Sequence, residues 1–184
     1  MINRLEESIN HIMDSIEESV SNLEFDNVTK AVDLIIESNN VFVYGSGRSG
    51  LAGRTFAMRL MQLGLNSFFI GETITPAVKD NDCVFFVSKT GETQTAIQAA
   101  GIVYERVDAE IIVLTASPKS TLANFADVII TLNVPENEKD AYLAPLGTIF
   151  EDSAAVFLDG LVSVLMDQLD EDEEGMKYRH PILI

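Results

Sequence analysis

The chain has one cysteine, Cys83, and two histidines, His11 and His180, set far apart. A single cysteine excludes an intrachain disulfide, which fits a reducing cytoplasm. No Cys/His cluster has the spacing of a metal site, so no metal is expected. Basic residues are scarce: 12 Lys and Arg stand against 29 Asp and Glu, a formal charge of −17. That balance argues against nucleic acid and against acidic membrane surfaces as partners, because both need a basic footprint. No apolar stretch approaches the length of a membrane span, and the opening residues, MINRLEES, lack a signal-peptide core. Apolar residues are plentiful, at 47% of 184, which is enough for one domain over 1–184 with a sizeable core.

The first 38 residues read as helical. Leu5, Ile9, Ile12, Met13, Ile16, Val20 and Leu23 recur at spacings of three and four between acidic residues, the pattern of an amphipathic helix. It precedes the first strand, so it packs on its own core or on another subunit. Asp26 is placed to cap a second helix over 28–37. Short strands and helices then alternate: strands over 41–44, 67–70, 83–87, 111–115 and 128–132, with helices over 50–63, 93–107 and 120–125. This rhythm predicts an α/β fold, a parallel sheet with helices on both faces. Residues 133–144 read as a loop, 148–169 as a long helix with Ala154, Ala155, Phe157, Leu158, Leu161, Leu165 and Met166 on its core side, and 170–184 as an acidic tail.

Two loops fall at strand ends, where such sheets bind ligands. Cys83–Val87 ends abruptly in Ser88-Lys89-Thr90-Gly91-Glu92-Thr93 before a helical segment. A helix start exposes unpaired N–H groups, and Ser88, Thr90, Thr93 and Lys89 add hydroxyls and a cation, so the loop suits a phosphate. An ordinary turn capped by Ser and Thr reads equally well. The other loop, Gly45-Ser46-Gly47-Arg48-Ser49-Gly50, matches G-x-G-x-x-G between a strand and a helix, with Glu72 near the place of a ribose-binding acid. Against a dinucleotide stand the two preceding helices, the hydroxyls and charge inside the loop, and the second set of anion donors at SKTGET.

The segments VFVYGSGRSGLAGRTFAMRLMQLG, GETITPAVKDND, VSKTGETQT, LAPLGTIFEDSAAVFLD and KYRHPILI, in this order and spacing, resemble the 6-phospho-3-hexuloisomerases of the sugar isomerase (SIS) domain family. The resemblance runs from Val41 to the C-terminus and extends loosely to the first helices. One departure is Ser88-Lys89-Thr90-Gly91, where such proteins often carry Ser-Gly-Ser-Gly. The family implies a three-layer, flavodoxin-like or Rossmann-like fold with five parallel strands, and usually a homotetramer. It implies interconversion of 3-hexulose 6-phosphate and fructose 6-phosphate without metal, nucleotide or other cofactor. That reaction serves formaldehyde fixation through ribulose monophosphate, or its reversal.

Moving a carbonyl from C3 to C2 takes a proton off C2 and returns one at C3, work that one carboxylate held over the sugar can do. The resemblance assigns this role to Glu151 of Gly147-Thr148-Ile149-Phe150-Glu151. Read without it, Thr148-x-x-Glu151 is also a capping box. Asp152 is a weaker candidate, pointing about 100° away on the helix. His180 is the candidate acid toward the sugar oxygens, in its own or a neighbouring subunit. Ser88, Lys89, Thr90, Gly91 and Thr93 are expected at the phosphate, and Ser46 and Gly47 at phosphate or sugar hydroxyls. Arg48 either binds substrate or pairs with Glu72. Glu92 reads as solvated or capping, and Arg54 and Arg59 as surface or interface residues. Other phosphosugar isomerases share the phosphate end of such a site. A non-catalytic phosphosugar sensor would need the hydroxyl loop but neither Glu151 nor His180.

Overall fold

The computed structural model describes residues 2–182; Met1, and Leu183 and Ile184 at the end of the KYRHPILI segment, lie outside the described residues. Two helices, α1 (Ile2–Ser21) and α2 (Phe25–Glu37), lead into β1 (Val41–Gly45), α3 (Gly47–Gln62), β2 (Ser67–Phe69), β3 (Cys83–Val87) and α4 (Gln94–Arg106). There follow β4 (Glu110–Thr115), a 3-10 turn (Leu122–Phe125), β5 (Val128–Thr131), a one-turn helix α5 (Asp140–Leu143), the long α6 (Thr148–Gln168) and α7 (Glu173–Tyr178). The five strands are parallel in the order β2-β1-β3-β4-β5, so the expected α/β architecture is present.

Pleating sorts the side chains. Val41, Val43, Phe85, Val87, Ile112 and Leu114 face a core shared with α2, α3 and α6. Their neighbours Phe42, Val84, Phe86, Ile111 and Val113 face α4 and the 3-10 turn. All five residues of β3 are buried, as a central parallel strand covered on both sides requires. The chain runs from β1 outward to β2, then crosses back to β3 on the other side. The loops after β1 and β3 therefore part in opposite directions and leave a crevice between them. Gly45 and Val87 are paired across the two strands, so both loops start at the same level.

Several local expectations need correction. α2 begins at Phe25 with Glu24 at its cap position, so Asp26 lies inside the first turn, where its charge favours the helix start. α3 begins at Gly47, three residues earlier than expected, which puts Arg48 and Ser49 on the helix. Ala155 is exposed rather than in the core. α1 packs on α6 and α5 rather than on the sheet, and only part of its apolar stripe is covered. Ile16 is buried, while Ile2, Leu5, Ile9 and Met13 are each more than half exposed.

Residues 133–144 are not all loop. α5 forms there because α1 holds it: His11 Nε2 lies 2.7 Å from Asp140 Oδ1, Ser8 Oγ donates to the Leu143 carbonyl at 2.6 Å, and Arg4 donates to the Tyr142 carbonyl at 3.1 Å. The acidic tail is likewise structured. Asp172 caps α7 by accepting from the Gly175 N–H at 2.8 Å. Arg179 then grips the Glu171 carboxylate at 2.6 and 2.9 Å and donates to the Gln62 carbonyl at the end of α3.

Candidate active site

The loop after β3 is built from its own hydroxyls. The Gly91 N–H donates to Ser88 Oγ and the Glu92 N–H to Thr90 Oγ1, both at 3.2 Å. Each hydroxyl thus spends a lone pair inside the loop and keeps its O–H to donate outward. The Lys89 carbonyl accepts from Thr115 Oγ1 and the Ala116 N–H, both at 3.1 Å, which ties the loop to the end of β4. Gly91 has φ 63°, and a Cβ there would meet Ser120 Oγ at 1.9 Å, so only glycine fits. Glu92 is exposed, as one of its two readings expects, and does not cap α4. Its carboxylate accepts from the Thr121 N–H and Oγ1, both at 2.8 Å, and these bonds hold its pKa below the ordinary range. Thr93 is the N-cap of α4 and makes no side-chain cap bond, so its hydroxyl is uncommitted beside the helix amides.

The loop after β1 uses its glycines differently. A Cβ on Gly50 would meet the Gly45 carbonyl oxygen at 2.5 Å, and one on Gly45 the Ser49 carbonyl oxygen at 2.8 Å. These glycines let α3 lie directly on the end of β1. Ser46 is the N-cap of α3 with no side-chain cap bond. Glu72, the candidate ribose acid, is paired with Arg54, whose guanidinium also lies 4.0 Å over the Phe69 ring. Arg48 therefore does not pair with Glu72.

Arg48 reaches α6 instead. Its Nε lies 3.0 Å from Glu151 Oε2, its Nη1 donates to Thr148 Oγ1 at 3.0 Å, and its Nη2 to Asp152 Oδ1 at 3.4 Å. The capping box does not form: Gly147, at φ 87°, is the cap residue, and Thr148 Oγ1 donates to the Pro145 carbonyl at 2.7 Å. Glu151 is turned into the cleft with its side chain 15% exposed. Its Oε2 is buried without an aligned hydrogen bond, because Arg48 approaches off-line. Burial raises the Glu151 pKa above the ordinary carboxylate range; Arg48 and, more weakly, Lys89 oppose this, and Asp152 adds to it. The result is a carboxylate short of donors and ready to take a proton.

The two loops and the start of α6 enclose a cleft of about 240 Å³, which brings together Ser46, Ser88, Lys89, Thr90, Thr93 and Glu151. Ser49 also lines it, a residue whose hydroxyl counts against a dinucleotide in the sequence but is not among the expected site residues. Gly47, Arg48 and Gly91 shape or back the cleft without lining it. His180 is not brought here within one chain. Its neighbour Arg179 is anchored at Gln62, and from Arg48 to Gln62 is about 21 Å along α3 at 1.5 Å per residue. Its Nδ1 lies 3.0 Å from the Pro181 carbonyl oxygen.

A hydroxyl loop at the switch point, facing a carboxylate on the following long helix, is joined by a match of the SIS domain family pattern to residues 34–155. The chain belongs to the SIS domain family. Among SIS relatives, the 3-hexulose-6-phosphate isomerase of Methanocaldococcus jannaschii is 38% identical over 149 residues, covering 81% of this chain and 79% of that one. The 3-hexulose-6-phosphate isomerase of Bacillus subtilis is 32% identical over 180 residues, covering 95% and 96%. A crystal structure of a hypothetical protein from Methanococcus jannaschii, for which a molecular function of 3-hexulose-6-phosphate isomerase is inferred, superposes with a TM-score of 0.84 at 32% identity over 99% of both chains. Among the described residues no helix is long and apolar enough to cross a membrane, and no group of three or more His, Cys, Asp or Glu side chains is placed to hold a metal ion.

Proposed function

We propose that this chain is a 3-hexulose-6-phosphate isomerase, converting its substrate to fructose 6-phosphate and back through an enediolate. The observation that carries the reading is the placement of Glu151. It stands in the same 240 Å³ cleft as the free hydroxyls of the Ser88–Thr93 loop, so a phosphate at the loop puts the sugar carbons before the carboxylate. The loop hydroxyls and the amides opening α4 take the phosphate. They do so against a chain charge of −17, which makes local donors necessary. Glu151 removes the proton at C2 of the 3-ketose and returns it at C3. Arg48 holds the carboxylate in place and favours its charged form.

His180 enters this reading as an acid toward the sugar oxygens supplied by a neighbouring copy, since it lies far from Glu151 in its own chain. The exposed Ile2, Leu5, Ile9 and Met13 on α1 supply apolar surface for contact between copies, in a homotetramer. The buried free thiol of Cys83 suits a cytoplasmic protein.

The test couples the protein to the aldolase that splits 3-hexulose 6-phosphate. With fructose 6-phosphate supplied, formaldehyde release that depends on this protein supports the reading. Silence, with fructose 6-phosphate still raising the melting temperature, would leave a phosphosugar-binding protein of another specificity.

A further inference from the structure

The cleft holds a second cation, one that no carboxylate among the described residues restrains. Arg48 is committed to Glu151, Thr148 and Asp152. Lys89 has no carboxylate within ion-pair distance among the described residues. Its peptide is tied to β4 through the carbonyl, while its side chain crosses toward α6. The Lys89 Cδ and the Glu151 Oε1 lie 3.7 and 3.8 Å from the point where a Cβ on Gly147 would stand. The lysine stem and the carboxylate therefore flank one bare glycine. Lys89 also lines a neighbouring cavity of about 330 Å³, bounded by Gly147 and the α5 segment and containing none of Ser88, Thr90 or Thr93. Gly147 lines both cavities, and the lysine stem runs from the phosphate loop to that glycine, which Glu151 flanks from α6.

Resting on the isomerase reading, we propose that the Lys89 ammonium stabilises the enediolate. When Glu151 takes the C2 proton, the C–H pair becomes the C2=C3 double bond and the carbonyl pair moves onto O3. Glu151 is then neutral, and the new negative charge lies on the sugar oxygen. An ammonium without a carboxylate partner, on a stem that passes the Gly147–Glu151 end of the cleft, meets that charge by donating to O3 and to the adjacent O2. Net, one proton moves from C2 to C3 and one from O2 to O3, and Lys89 ends as it began. An interaction that is strong only after charge has moved accelerates the chemical step more than it tightens substrate binding.

The experiment compares wild type, Lys89→Met and Lys89→Arg in steady-state turnover of 3-hexulose 6-phosphate across pH, with fructose 6-phosphate affinity measured by calorimetry. A wild type that does not turn over ends the isomerase reading itself, independently of Lys89. With an active wild type, Lys89→Met should lose on the order of 10²-fold in kcat while its affinity for fructose 6-phosphate changes far less. The acid limb of its kcat/KM profile should move to higher pH, because Glu151 loses a cation that favours its charged form. Lys89→Arg should recover much of the rate. Unchanged kinetics in Lys89→Met, or a raised KM with kcat intact, overturns the proposal; the latter makes Lys89 a phosphate ligand. Lys89 is exposed, so these variants are expected to fold. A Lys89→Arg variant as slow as Lys89→Met, with an unmoved pH limb, would also overturn it.

Discussion

The loop after β1 and the loop after β3 look alike in composition, with glycine, serine or threonine and one basic residue each, yet they are built on opposite plans. In the first, Gly45 and Gly50 touch backbone to backbone and bring α3 onto the strand, and the basic residue, Arg48, turns away to α6. In the second, one glycine is pressed against Ser120, the hydroxyls fold the loop, and the basic residue, Lys89, has no carboxylate partner among the described residues. One loop is first a packing device, presenting Ser46 and Ser49 at its edge; the other is a preformed set of donors. A G-x-G-x-x-G spelling alone does not separate these uses. What separates them is what a Cβ would meet.

The largest expected effect lies where both loops converge. Glu151→Gln should lower kcat by about 10³-fold with fructose 6-phosphate affinity largely kept, which steady-state kinetics and calorimetry would measure. The same variant should melt higher at neutral pH. A carboxyl whose folded pKa is raised above its unfolded value stabilises the fold only at low pH, and that contribution is lost as pH rises through the raised value.

Gly91→Ala tests the second loop's plan. A positive φ and a Cβ 1.9 Å from Ser120 Oγ together should cost about 3 kcal/mol or more and raise the KM, read by denaturant melts and kinetics. Gly50→Ala tests the first plan. It should cost about 1–3 kcal/mol through overpacking against the Gly45 carbonyl, with kcat per folded molecule nearly unchanged. If Gly50→Ala instead abolished phosphosugar binding while remaining stable, the two loops would share one role. Thr93→Val should raise the KM about tenfold with kcat kept, the value of one hydrogen bond to a charged group. The smallest change is a shift in profile: Arg48→Met should move the acid limb of kcat/KM to higher pH, since Glu151 loses the cation that favours its charge.

The sheet was legible because each strand is a short apolar run read on its own terms, and Cys83–Val87 needs no distant partner to be recognised as buried. α5 and α7 were not legible. Neither segment has enough apolar periodicity to form by itself; α5 is held by side chains far off in sequence, His11 and Ser8, while α7 has its own Asp172 cap and is docked by Arg179 onto the distant Gln62 carbonyl. Glu151 stood undecided between cap and base for the same reason. The residue that takes its carboxylate, Arg48, lies 100 residues from Thr148 in sequence, and the left-handed turn at Gly147 that removes the cap is a backbone event. The terminal KYRH segment drew attention to His180, but only the fold reveals that α3 separates it from Glu151 within one chain.

The tie between α1 and α5 has a consequence for how this protein is put together. Three bonds from Arg4, Ser8 and His11 hold the short helix just ahead of Leu146 and Gly147, which wall the cleft. All three anchors lie outside residues 34–155, the stretch that carries the family pattern. The minimal catalytic unit is accordingly larger than the recognisable domain. A truncation beginning near Phe25 would keep every strand and every hydroxyl of the site and still lose the brace that sets the width of its entrance.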